Sequence, residues 1–503
     1  MLASISSAVV HGFDGYLVSV EVHVSNGLPG CNIVGLPDAS CREARDRVRS
    51  ALLSSGFKWP QKRVTINLAP SSLRKEGACV DLALALALLA ASGQIPIESI
   101  KGVAAVGELG LDGKLKKVPG LVCLASAINS DVLFVPAEDA SEAALAFKGE
   151  VRGAETLLEI VGGLVGLSEL PGIIDVPEYV EEVIGPDLSH VAGQTLARWA
   201  LEISAAGGHH LLMVGPPGAG KTMLASRLSG LLPELNNEAS LTVSKIHSAA
   251  GLSVLTGGLI KRPPYRAPHQ GASMVGMLGG GTGSMRPGEI SCAHNGVLFL
   301  DELGEYPARM IDALRTPLEE GVIRVSRAAR SVTYPADFLF VGAMNPCPCG
   351  NGGAAGKCRC TRSARQKYCR RLSGPILDRF DLRVELQPPD PLVLFDTKLS
   401  ESSASVAKRV SQVRQKSLER GVVSNSKLNQ SQIEKFAPLN DQAKLLFKNA
   451  IEQQLLSGRG FARVRTVACT IADLLGGRKF IDKEIAAAAL QLRSPLTSVF
   501  GDE

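Results

Sequence analysis

Leu211-Leu-Met-Val-Gly-Pro-Pro-Gly-Ala-Gly-Lys-Thr222 runs an apolar strand straight into a glycine-rich turn, and Met-Leu-Ala-Ser-Arg-Leu follows with helical character. The pattern G-x-x-x-x-G-K-T is a phosphate cradle. Gly215, Pro216, Pro217, Gly218, Ala219 and Gly220 form a turn whose backbone N–H groups converge on one anion, helped by the positive end of the next helix. Lys221 then reaches the β- and γ-phosphates, and the Thr222 hydroxyl is placed to ligate Mg²⁺. ATP and Mg²⁺ are therefore the expected substrate and cofactor.

Such a cradle needs a second strand that carries an acid. Val297-Leu-Phe-Leu-Asp-Glu302 provides four apolar residues suited to a buried parallel strand, followed by two carboxylates. Asp301 is expected to hold Mg²⁺ through water, and Glu302 to orient and activate the attacking water. The two motifs together predict nucleotide hydrolysis.

At 503 residues the chain is too long for one typical domain and predicts three units. Its 45% hydrophobic and 20% charged residues have the balance of a globular protein. The N-terminus, Met1-Leu-Ala-Ser-Ile-Ser-Ser, has no basic segment before an apolar one, and the longest apolar stretch, Leu82 to Ala91, is too short to span a bilayer. A cytoplasmic protein without membrane segments is the expectation. In that compartment the eleven cysteines argue for a metal site or buried thiols over a disulfide framework. The net charge of +5 is too mild to imply nucleic acid by itself.

Residues 1–165 alternate β-type and helical runs. Leu17-Val-Ser-Val-Glu-Val-His-Val and Arg63-Val-Thr-Ile-Asn-Leu alternate at period two, and Ala39 to Ser54 places Ala44, Val48, Ala51 and Leu52 on one helical face. Leu73-Arg-Lys-Glu-Gly-Ala-Cys-Val-Asp-Leu then opens an Ala/Leu helix that is apolar nearly all round. With Gly107-Glu-Leu-Gly-Leu-Asp-Gly-Lys-Leu, this stretch resembles the proteolytic domain of Lon-type proteases, an α+β fold shared with ribosomal protein S5 (S5 domain 2-like). That resemblance implies a Ser–Lys pair. Here Cys79 stands at the Ser position and Val122 at the Lys position, so a non-proteolytic relative is expected.

Prolines and acids mark 166–190 as a linker, and Asp187 to Ala206 reads as a helix leading to the phosphate turn. Residues 191–395 form the nucleotide-binding α/β core. Within it, Gly276-Met-Leu-Gly-Gly-Gly-Thr-Gly-Ser-Met-Arg-Pro-Gly-Glu-Ile is too glycine-rich to predict a regular element, leaving a mobile substrate-facing loop or a passive surface loop. Pro307 to Glu320 fits one helix. Gly321-Val-Ile-Arg-Val-Ser-Arg-Ala-Ala-Arg-Ser-Val-Thr-Tyr reads as a hairpin on which Arg324, Arg327 and Arg330 make a row of cations suited to phosphates, or merely a solvated hairpin.

Phe338-Leu-Phe-Val-Gly-Ala-Met-Asn345 is a further buried strand, ending in an amide able to polarise a water or sense the γ-phosphate. Cys347, Cys349, Cys358 and Cys360 follow as a C-x-C…C-x-C array that can close a tetrahedral Zn²⁺ site, with free thiols or redox pairing as alternatives and Cys369 as a spare. From Lys357 to Arg371 there are seven Lys/Arg and no acid, a run facing a polyanion or solvent.

The order of these motifs, with Pro-Gly-Glu-Ile-Ser-Cys-Ala-His-Asn-Gly-Val-Leu-Phe-Leu-Asp-Glu-Leu, Ala-Met-Asn-Pro-Cys-Pro-Cys-Gly and Leu-Ser-Gly-Pro-Ile-Leu-Asp-Arg-Phe-Asp-Leu, resembles the ComM/YifB family of magnesium-chelatase-like AAA+ ATPases over essentially the whole chain. The resemblance implies a Lon-like domain, a P-loop AAA+ core and a C-terminal helical lid over 396–503. It also implies a homohexameric ring with ATP between subunits, and a DNA helicase driving branch migration in DNA uptake. Arg379 matches an arginine finger that reaches a neighbour's γ-phosphate. Arg459, with Arg463 and Arg465 as rivals, matches the second sensor. A true magnesium chelatase subunit and an ATP-dependent protease are the competing readings. The N-terminal domain and cysteine insert disfavour the first, and the missing Lys disfavours the second.

Overall fold

The computed structural model describes residues 1–36, 39–73, 75, 77–175, 185–252, 258–281, 285–327, 330–351, 358–369, 371–388 and 400–493. Its first sheet has seven strands: β1 (Leu2–His11), β2 (Asp14–Ser25), β3 (Gly30–Val34), β4 (Arg63–Ala69), β5 (Val103–Ala105), β6 (Val132–Pro136) and β7 (Glu150–Ala154). They lie in the order β3-β4-β2-β1-β5-β6-β7. β2 is antiparallel to both β1 and β4, while β5, β6 and β7 continue in parallel from β1.

Period-two alternation makes β2 half-buried: Val18, Val20, Val22 and Val24 face the core. Against the sheet lies the helix Asp81–Ala91, every residue of which is buried. Its all-round apolar surface fits that central place, where each buried Leu contributes about 1.5–3 kcal/mol. The one charge on it, Asp81, is pushed up to about pH 6 by burial, although Arg47 on the helix Ala39–Ser54 opposes the shift. Arg47 Nε and Nη2 donate to the two Asp81 oxygens at 2.7 and 3.0 Å, so the pair fastens one helix to the other.

The second sheet is wholly parallel. Its strands are β8 (Leu211–Val214), β9 (Tyr265–Arg266), β10 (Val297–Leu300), β13 (Leu339–Met344) and β14 (Leu382–Glu385), in the order β9-β10-β13-β8-β14. The separate hairpin β11 (Val322–Arg327) and β12 (Arg330–Pro335) stands between β10 and β13 in the chain. Leu211, Met213, Val341 and Ala343 face one apolar cluster, whereas Leu212, Val214, Phe340 and Met344 face another. Burial on both faces explains why these strands read as unbroken apolar runs. The first cluster is shared with the C-terminal helices, where Val406, Val410 and Val413 form a stripe on Ser403–Glu419 and Val464, Val467 and Ile471 another on Gly458–Leu474.

The N-terminal domain is joined to the core by a polar seam. Val122 N donates to Ser248 Oγ at 3.3 Å, Cys123 Sγ donates to Lys245 O at 3.2 Å, and the Ser248 hydroxyl donates to the Glu142 carboxylate. Lys245 also pairs with Asp14 at 3.6 Å. Beside this seam the Phe13 ring meets Tyr334 at the base of the β11/β12 hairpin, with centroids 6.4 Å apart.

Several expectations about local structure are corrected. The helix before the phosphate turn is Thr195–Gly207 and does not begin at Asp187, because Gly193 and Gln194 both adopt the left-handed conformation. Residues 307–320 form two short helices, Ala308–Ala313 and Arg315–Glu320, since Pro317 has no N–H to continue the ladder. In the glycine-rich segment, Gly279–Gly280 pairs with Arg286–Pro287 as a small hairpin. A Cβ on Gly288 would lie 2.4 Å from Gly279 N, so the glycines permit close backbone approach. Residues 282–284 of that segment lie outside the described residues. In the segment 166–190, Ile174 N donates to Val151 O on β7 at 2.9 Å and Leu188 is buried in the core, while 176–184 lie outside the described residues. No helix among the described residues is long and apolar enough to cross a membrane.

Candidate nucleotide-hydrolysis site

Parallel register brings the motif residues together. Val214 is level with Met344, and Leu300 with Gly342, so Gly215, Asp301 and Asn345 all leave the sheet at its carboxyl end. This is the edge at which open α/β sheets bind ligands. Gly218 and Gly220 take positive φ values of 79° and 89°, which turn the chain into the short helix Lys221–Ala225.

Lys221 Nζ donates to Gly215 O at 2.6 Å, Pro216 O at 3.0 Å and Asn345 Oδ1 at 3.1 Å. Burial lowers its affinity for the proton, while Asp301 and Glu302 act in the opposite sense. A bound anion would reinforce that opposition and take over the ammonium's donors. Thr222 Oγ1 donates to Asp301 Oδ2 at 2.6 Å, which puts a hydroxyl and a carboxylate side by side as ligands for a hard cation. Glu302 is exposed and holds a left-handed backbone, φ 50°, with its N–H donating to Asp301 Oδ1 at 2.9 Å. A non-glycine residue in that region is uncommon and clusters at functional sites.

Sequence reasoning missed Gln194. Its side chain donates to Ala219 O at 3.1 Å and to Gln387 O at 2.7 Å, which clamps the phosphate turn to the chain leaving β14. No motif marks it; the adjoining glycine is the sole local signal.

Arg379 lies elsewhere. It precedes β14, whose first residue Leu382 is level with Leu211, and so sits at the amino end of the sheet. A strand of this length separates it from its own phosphate turn by roughly 10 Å or more. There it pairs with Glu319 and lines a cleft of about 690 Å³ with Arg459, Arg463, Arg414 and Lys427. Burial and the neighbouring Arg463 and Arg459 ease its deprotonation. Arg463 pairs with Asp381 at 2.6 Å, and Arg465 is buried over Phe461 with carbonyl partners Ile433 and Ala437. Of the three rivals for a second sensor, Arg465 is thus occupied inside the C-terminal helices, while Arg459 and Arg463 face the same cleft as Arg379.

Cys347, Cys349, Cys358 and Cys360 converge, with all four sulfurs within 4.8 Å of one another. The Cys347–Cys349, Cys347–Cys358 and Cys349–Cys358 separations are 3.4, 3.8 and 3.6 Å. Zinc–sulfur bonds of about 2.3 Å in a tetrahedron need sulfurs about 3.8 Å apart, so the cluster fits the ion. Cys369 is outside it, packed in the apolar cluster with Tyr368. Of the hairpin arginines, Arg324 pairs with Glu320, Arg327 is level with Arg330, and the side chains of Arg327 and Arg330 lie outside the described residues, as does Lys357.

Three family models match in succession: "Subunit ChlI of Mg-chelatase" over residues 20–139, "Magnesium chelatase, subunit ChlI" over 187–392 and its C-terminal part over 400–493. The chain is 42% identical to the competence protein ComM of Haemophilus influenzae over 97% of its own length and 96% of that protein. It is 44% identical to YifB of Escherichia coli over 93% of its length and 94% of that protein. By contrast, the magnesium-chelatase 67 kDa subunit of Chlorobaculum parvum is 27% identical over 33% of this chain and 23% of that protein.

Proposed function

The chain belongs to the ComM/YifB family of magnesium-chelatase-like ATPases, and on that premise we propose that it is a homohexameric, ATP-driven helicase that promotes branch migration of DNA in the cytoplasm. The observation that carries the reading is the separation of Arg379 from its own phosphate turn across the sheet. A finger on the far edge serves a neighbour's nucleotide, so the competent site forms only between subunits of a ring.

In this reading the turn 215–220 cradles the phosphates, Lys221 moves from Asn345 to the β- and γ-oxygens, and Glu302 takes a proton from the attacking water. Asn345 positions that water. Mg²⁺, held by Thr222 and Asp301, supplies charge neutralisation at the phosphates. Arg379 and Arg459 reach the adjoining subunit's γ-phosphate, where a finger contributes several orders of magnitude in rate. The β11/β12 hairpin with Arg324, Arg327 and Arg330 contacts DNA phosphates in the channel, and Zn²⁺ occupies the four-cysteine centre. The N-terminal domain is read as a Lon-like fold without protease chemistry: Cys79 Sγ donates to Ala8 O at 3.4 Å, and Val122 is buried against the ATPase core.

ATP-dependent displacement of a strand from forked DNA tests the helicase step. Displacement that disappears in Lys221→Ala supports it. ATP turnover with no displacement on forked or four-way DNA would leave an ATPase that remodels another substrate, such as a protein.

A further inference from the structure

The four-cysteine centre is wired to all three parts of the nucleotide site. Pro346 alone separates Asn345 from Cys347, and the Asn345 amide is the partner of Lys221. The next turn, closed by Gly350 N donating to Cys347 O at 2.9 Å, lies directly on the phosphate turn. Gly350 has φ +83°, and a Cβ there would sit 2.5 Å from Pro217 Cδ. Beyond the second cysteine pair, the helix Arg362–Cys369 presses Tyr368 onto the loop after Glu302, where a Cβ on Gly304 would meet Tyr368 Cζ at 2.3 Å. Arg371 then donates to Gly304 O at 2.6 Å and to Glu305 at 2.8 Å.

Apolar burial within the described part of this module is slight. Among the described residues between Cys347 and Tyr368, Gly350 alone is buried. A segment with so little apolar burial does not recover its ordering entropy by packing, and a metal cross-link of four thiolates replaces it.

We propose that a metal ion at Cys347, Cys349, Cys358 and Cys360 is a structural brace of the nucleotide site, holding Pro217, Asn345 and the Gly304 loop in one arrangement, so that metal occupancy sets nucleotide binding and turnover. This rests on the zinc reading above. The centre stays out of the reaction itself and acts by position, and misplacement of about 1 Å is enough to cost about 10²-fold in rate.

The test uses the full-length protein, purified under reducing conditions and assayed for zinc. The ion is then displaced with a thiol-directed mercurial, the thiols are restored with a reductant, and zinc is added back. MgADP affinity and backbone hydrogen exchange are followed in each state. The expected result is one zinc per chain, an apo form with weaker MgADP binding and faster exchange at 215–222 and 301–305, and restoration on reloading. Exchange in the helix Asp81–Ala91 should stay unchanged. Gly350→Val, which displaces the turn from Pro217 without removing a thiol, should bind zinc normally yet show the same weakened nucleotide binding. Absence of metal from the reduced protein would overturn the zinc reading and the brace with it. One zinc per chain, whose removal leaves MgADP affinity and exchange at 215–222 unaltered, would overturn the brace alone.

Discussion

The Lys221 ammonium donates to the side-chain oxygen of Asn345 at 3.1 Å, joining residues 124 positions apart in the segments that follow two adjacent parallel strands. The same ammonium is held by two carbonyls of its own turn, so in this arrangement its donors are satisfied internally. In the proposed function an incoming γ-phosphate would compete for all three donors, which would link phosphate arrival to release of the Asn345 amide.

Lys221→Ala should therefore lose nucleotide binding, seen as absent titration with a fluorescent ADP analogue. Glu302→Gln should still bind MgATP but hydrolyse it about 10²–10⁴-fold more slowly, the usual contribution of a general base. Hydrolysis by Glu302→Gln at the unaltered rate would remove Glu302 from that role.

Because Arg379 lies across the sheet from Lys221, the two defects should complement in mixed rings. Arg379→Ala alone should fall by about 10³-fold or more in turnover. Mixing it with Lys221→Ala should recover measurable ATPase, from interfaces with an intact turn on one side and an intact finger on the other. A monomer that turns over at full rate on dilution would contradict the shared site.

Replacing Arg324, Arg327 and Arg330 together by Ala should weaken binding to DNA of any sequence. It should also lower the dependence of log affinity on log salt by about one for each lost phosphate contact. An unchanged salt slope would place the DNA path elsewhere.

His210, just before β8, accepts the Phe340 N–H through Nδ1 at 3.1 Å, and burial pushes its pKa down to about 4 while Asp381 acts against the shift. The depressed value means that the unfolded chain binds a proton here before the folded one does. Its contribution is complete above about pH 6.5 and is lost as pH falls toward 4, on the order of 3 kcal/mol. His210→Asn, which keeps an acceptor but cannot titrate, should flatten that part of the difference in denaturation midpoint between pH 7 and 5. Parallel pH profiles for the two proteins would refute the assignment.

The strands that carry Gly215, Asp301 and Asn345 were legible because a parallel sheet buried on both faces leaves unbroken apolar runs ending in polar residues. Their placement side by side was not legible, since strand order depends on contacts between distant segments. Pro317 was a readable signal that 307–320 is not one helix, and apolar periodicity alone concealed it. Gly279 and Gly288 look in sequence like loop residues, but they allow two backbones to touch, a property that needs a partner in space. The same holds for Gln194, for the seam between Val122, Cys123 and the helix Asn237–Ala250, and for Gly350 against Pro217, none of which follows a local pattern.

The most direct measurement is the ATPase rate with and without single-stranded and forked DNA across a salt series. A DNA-driven ring predicts strong stimulation that fades as salt rises, because phosphate contacts release counterions. The same rate with and without DNA at every salt concentration would contradict a DNA motor and leave an ATPase that acts on another substrate.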